Sequence, residues 1–127
     1  MRLMVHPDLL CGMDEGIEPY AMWLIIAVFC TKSTETKRRY YTTALLEIAR
    51  KNYKTFAAAV IFIIGMLLEP PYSRFFSVAP LFKLSEELRL AVRKILKNSP
   101  LLCEHFRICR DYIRCQITET EYTPLAY

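Results

Sequence analysis

The chain has 127 residues, 54% of them hydrophobic and 24% charged, and carries a formal net charge of +4. That length fits one domain, and the apolar share excludes a chain too polar to build a core. The positive excess is mild: it is compatible with an acidic partner and demands none.

Residues 1–16 follow no period and read as an irregular N-terminal segment. Arg2 is basic, but His6, Pro7 and Asp8 interrupt any apolar run, and Asp14 and Glu15 follow, so the segment lacks the form of a signal peptide. A helical domain is expected over residues 17–117. Its first helix is predicted over about 18–31, with Pro19 where a helix needs no N–H. A second is predicted over 33–51. Ser33 is its cap, and Tyr41, Ala44, Leu45, Ile48 and Asn52 recur at spacings of three and four.

The stretch KTFAAAVIFIIGMLLEPPY comes next. Residues 56–68 carry no charged or hydrogen-bonding side chain, and Glu69, Pro70 and Pro71 end the run. Thirteen helical residues rise about 20 Å, whereas a hydrocarbon core needs roughly 30 Å. A helix apolar on every side must be surrounded, so it is expected at the centre of a core. The alternative is a small membrane-embedded protein using residues 20–30 and 56–68.

Residues 72–84 hold Phe75, Phe76, Val78, Leu81 and Phe82, and are read as a short helix with a bend at Pro80. In SEELRLAVRKILKN, Ser85 is the expected cap. Acidic Glu86 and Glu87 open the helix and basic Arg93, Lys94 and Lys97 close it, which suits the helix dipole. Leu84, Leu88, Ala91, Val92, Ile95 and Leu96 form its apolar stripe. Ser99-Pro100 starts a last helix, with Leu102, Phe106, Cys109, Ile113 and Ile117 as its stripe. Residues 118–127 are expected to be a flexible tail. Three glycines and no Asn-Gly or Asp-Gly pair argue against hairpins, and no strand is required.

No nucleophile elbow, metalloprotease or phosphate-loop pattern occurs, so no catalytic residue is assigned and no enzyme is expected. No cofactor site is assigned either. The five cysteines form no CxxC pair, and free thiols in cytoplasm or nucleus are expected. Cys103, His105, Cys109 and Cys115 invite a zinc reading. On a helix, however, Cys103 and His105 lie about 200° apart, so no metal site is assigned.

Arg107, Arg110 and Arg114 fall at i, i+3 and i+7 and would form one basic ridge on the last helix. Arg89, Arg93 and Lys97 make the preceding helix basic. These six are the candidate partner-binding residues. An acidic protein surface is the expected partner, and nucleic acid is the alternative. In the tail, Tyr122-Thr123-Pro124-Leu125 has the form of a tyrosine sorting or docking motif.

The segment SEELRLAVRKILKNSP resembles a helix of armadillo or HEAT-type repeats, with an acidic start, Leu-Arg, then Ala-Val and a terminal Leu. Placing Lys51-Asn52 on Lys97-Asn98 gives an offset of 46 residues, within the range of such repeats. The resemblance implies a scaffold for other proteins. The expectation is therefore all-α: a compact multi-helix bundle or an armadillo/HEAT-like helical stack around a central apolar helix. It would act as a non-catalytic adaptor or scaffold, alone or as part of a larger complex.

Overall fold

The computed structural model describes residues 19–47 and 54–126. They form a mixed α/β fold, which overturns the all-α expectation. Helix α1 (Pro19–Ile25) continues as a π-helical turn (Ile26–Cys30), and α2 spans Lys54–Leu68. Then come β1 (Arg74–Ala79), α3 (Phe82–Lys97), the short α4 (Pro100–Cys103), β2 (Phe106–Ile108), β3 (Ile113–Cys115) and β4 (Thr120–Ala126). The strands form one sheet in the order β1-β4-β3-β2, parallel between β1 and β4 and antiparallel elsewhere. Among the described residues no armadillo or HEAT repeat is present, because the elements of those repeats are helices alone.

The sheet has two unlike faces. Phe75, Tyr122, Ile113 and Ile108 are register neighbours across all four strands and face the helices. Val60, Ile63 and Met66 of α2 and Val92, Ile95 and Leu96 of α3 complete that core. The opposite face carries the row Arg74, Glu121, Arg114 and Arg107. Exposed Phe76, Val78 and Leu125 lie beside that row. This is the alternation of a sheet packed on one side only.

Three readings of the sequence fail for identifiable reasons. Residues 72–84 were expected to be helical, but in RFFSVA the exposed and sheltered positions alternate strictly. A short apolar run permits both periods, and pairing with β4 selects the strand. The expected last helix stops at Cys103. The pairs Phe106/Ile108 and Ile113/Cys115 also have period two, and they supply the core side of β2 and β3. Their hairpin needs no glycine: Cys109 N–H donates to the Tyr112 carbonyl at 2.9 Å. In the β3–β4 turn, Glu119 itself takes a left-handed φ of 55°, a conformation open to a few per cent of non-glycine residues. The expected loose tail is β4, an interior strand of the sheet. Tyr122 is fully buried there, so its motif offers no exposed tyrosine.

The helix expected over 33–51 is absent from its described part, residues 33–47, which form turns and extended chain. Residues 48–51 of that helix, Asn52 and the N-terminal segment 1–16 lie outside the described residues.

Polar contacts tie the layers together. Ser77 Oγ donates to the Ser85 carbonyl at 3.0 Å and lies 2.7 Å from the Tyr122 hydroxyl. With its one proton so used, Ser77 accepts from the phenol. Thr118 and Thr120 both donate to the Met66 carbonyl near the end of α2, at 2.5 and 2.9 Å. A helix end leaves carbonyls without partners, and the β3–β4 turn supplies donors for this one. Gly65 lets α2 approach the sheet, since a Cβ there would lie 3.0 Å from the Phe75 ring.

Two outcomes are expected. Gly65→Val should lower stability by roughly 1–3 kcal/mol through overpacking. An unchanged urea midpoint would mean that Phe75 yields freely. Burial raises the Tyr122 phenol above its ordinary value, with the Ser77 contact opposing that shift. The associated stability is full below about pH 10 and is lost as pH rises through the folded value. Tyr122→Phe should therefore flatten the alkaline branch of the unfolding curve, and an unaltered branch would assign it to other groups.

Candidate anion-binding cleft

Helix α3 begins at Phe82, three residues before the expected cap, and Ser85 lies within its first turn. The hydroxyl of Ser85 donates to the Phe82 carbonyl at 2.9 Å. The buried face of α3 is Ser85, Arg89, Val92, Ile95 and Leu96. Arg89 thus occupies a core-facing position, four residues from Ser85 and three from Val92. The expected stripe placed Leu84 on the core, yet Leu84 is exposed.

Arg89 is 6% exposed. One terminal nitrogen donates to Glu86 Oε1 at 2.8 Å, and the other donates to the Cys109 carbonyl at 3.3 Å. Its Nε is buried without a partner. Glu86 leans outward, with 31% of its side chain exposed against 7% for Arg89. The arginine therefore bears most of the desolvation. Burying a charge costs several kcal/mol, and an unmet buried donor costs about 1–3 more.

Beside Arg89 lies a cleft of about 320 Å³ between α3 and the β2–β3 hairpin, lined by Arg89, Arg93, Lys97, Ile108, Cys109 and Arg110. Arg89, Arg93 and Lys97 follow one another at successive turns of α3, spanning about 12 Å. Arg110 enters from the hairpin turn. Among the described residues, four of the six that line the cleft are cationic and none is acidic. Among the described residues, no carboxylate lies within ion-pair distance of Arg93, Lys97 or Arg110. The cleft runs along the carbonyl end of α3, where the dipole repels anions, so any attraction comes from the side chains. Tyr112, across the turn, has its phenol raised above its ordinary value, chiefly by the neighbouring Cys109 side chain.

Of the six candidate residues, Arg89, Arg93, Lys97 and Arg110 share this cleft. Arg107 and Arg114 do not form a helical ridge with Arg110, because the segment is a hairpin. They are paired across β2 and β3 on the outer face of the sheet. Arg114 is further bound by an ion pair with Glu119. Asp111 and Glu104, near Arg107 in sequence, make no ion pair with it among the described residues. The burial of Arg89 went unread, although its spacing from Ser85 and Val92 is a legible signal.

Among the described residues, no group of three or more His, Cys, Asp or Glu is placed to hold a metal ion. No helix among them is long and apolar enough to cross a membrane. Comparison of the chain with protein-family models, with curated proteins and with solved structures returned no match.

A buried arginine kept for binding should be dispensable to the fold when its counter-ion goes too. The Arg89→Met/Glu86→Gln double variant should unfold at the same or a higher denaturant concentration, by up to about 4 kcal/mol. A loss above roughly 3 kcal/mol would make Arg89 a structural tie for the hairpin instead.

Proposed function

We propose that the protein is a non-catalytic binding module that takes an acidic segment of another protein into the cleft between α3 and the hairpin. The observation that carries this reading is the convergence of Arg89, Arg93, Lys97 and Arg110 on one cleft with no lining carboxylate among the described residues. Such a surface steers an acidic partner and fixes its register. Guanidinium groups pair with carboxylates bidentately, which adds geometry to charge.

Nucleic acid is the weaker alternative. Single strands are held on aromatic platforms beside the cations, and among the described residues no aromatic side chain lines this cleft. The outer-face cations Arg74, Arg107 and Arg114 share their row with Glu121, and Arg114 also pairs with Glu119, which dilutes a phosphate track. Cytoplasm or nucleus is the compartment that goes with the reading.

The test is fluorescence anisotropy with a labelled decaglutamate peptide and a labelled twelve-nucleotide single strand. The wild type should bind the peptide, and affinity should fall with salt. The Arg93→Glu/Lys97→Glu/Arg110→Glu variant should lose at least tenfold in affinity with an unchanged melting temperature, since all three side chains are exposed. Equal binding by the variant would remove the cleft from the account. Tighter binding of the oligonucleotide would favour the nucleic-acid reading.

A further inference from the structure

We propose that the group seated in this cleft is a phosphomonoester on a serine, threonine or tyrosine side chain of the partner. The inference rests on the acidic-partner reading and goes further in naming the ligand's chemistry.

Charge balance is the first argument. Four cations line the cleft, and Glu86 offsets only Arg89. An excess of three positive charges remains at one place. A single carboxylate brings one negative charge and two oxygens. A phosphorylated side chain brings about −1.5 to −2 and three strong acceptor oxygens. Phosphodiesters carry one charge each, spaced along a strand, and match a stripe better than a single recess.

The second argument is Arg89 itself. It is 94% withdrawn from solvent by its 6% exposure, and it lines the cleft. Glu86 and the Cys109 carbonyl hold its two terminal nitrogens, which fixes the plane of the guanidinium. Of the five N–H donors of an arginine, the one on Nε is buried and unmatched. A donor left unmet in a buried, pre-oriented guanidinium is what an incoming oxyanion would satisfy. Arg93 and Arg110 reach the same recess from α3 and from the hairpin and supply forked donors from two further directions. Lys97 adds a point charge at the end of the row.

The experiment uses the full chain and three immobilised nonapeptide libraries with degenerate flanks. The central residue is phosphorylated (Ser, Thr or Tyr) in the first, unphosphorylated in the second and Glu in the third. Binding to the phosphorylated library should exceed binding to the Glu library at least tenfold. Arg93→Gln/Arg110→Gln should abolish that preference. Arg89→Lys keeps the charge but removes the Nε–H fork, and should reduce the preference tenfold with the melting temperature retained. In nitrogen-15 spectra, the Arg89 Nε–H resonance should move on adding a selected phosphopeptide.

Equal binding to the phosphorylated and Glu libraries would overturn the phosphate assignment and leave the acidic-partner reading standing. No binding to either would overturn both. Inorganic phosphate binding as tightly as the best phosphopeptide would overturn the assignment to a partner chain. So would an unphosphorylated oligomer of DNA displacing that peptide at equal charge.

Discussion

The structure turns on Tyr122. Its ring is wholly buried on the inner face of an interior strand and packs edge-on against Phe62 of α2, with centroids 5.0 Å apart. Its hydroxyl meets Ser77 of β1, which in turn holds the Ser85 carbonyl in the first turn of α3. One side chain near the C-terminus thus joins β1, β4, α2 and α3. A buried phenol is tolerated only when its hydroxyl has a partner, and Ser77 is placed to provide one. The parallel pairing of β1 with β4 follows, because the Phe75–Tyr122 register brings the two aromatic rings together against Phe62.

From that seam the rest is constrained. With β4 between β1 and β3, the β2–β3 hairpin is carried to the side of the sheet away from β1. Helix α3 crosses the inner face, touching β1 and β4 and ending beside α4, which in turn packs on β2. The hairpin turn therefore comes to rest against the outer flank of α3. There the Cys109 carbonyl accepts from Arg89, and Arg110 joins the cations of the helix. The cleft is a consequence of topology: neither α3 nor the hairpin alone would concentrate these charges.

The cleft also runs against the economy of a small core. A neutral residue of Arg89's length would pack at that position without desolvating a charge. Four like charges facing one recess repel one another, and among the described residues Glu86 alone pairs with one of them. Local features that oppose stability while the surrounding packing remains well matched are the usual mark of a surface shaped by binding.

The sequence by itself determined the apolar helix α2, the amphipathic α3 and the basic character of the α3 face. Those features are local: a run of thirteen side chains without polar groups is too long for an ordinary strand, and the apolar stripe of α3 is backed by acidic residues at its start and basic residues at its end. The sheet was not legible, because each of its strands is short and their apolar spacings satisfy two periods. In the stretch from Phe106 to Cys115, residues 106, 109 and 113 fit a helix, while 106, 108, 113 and 115 fit two strands. The absence of glycine misled in the same way, since Glu119 and the Cys109–Tyr112 turn close the hairpins without it. Only the tertiary structure decided between these readings. β1 and β4 lie more than forty residues apart in the chain, and their hydrogen bonds exist only once the ends meet. Cation clustering depends on the same long-range closure, so Arg110 could be recognised as basic from the sequence but not as a neighbour of Arg89.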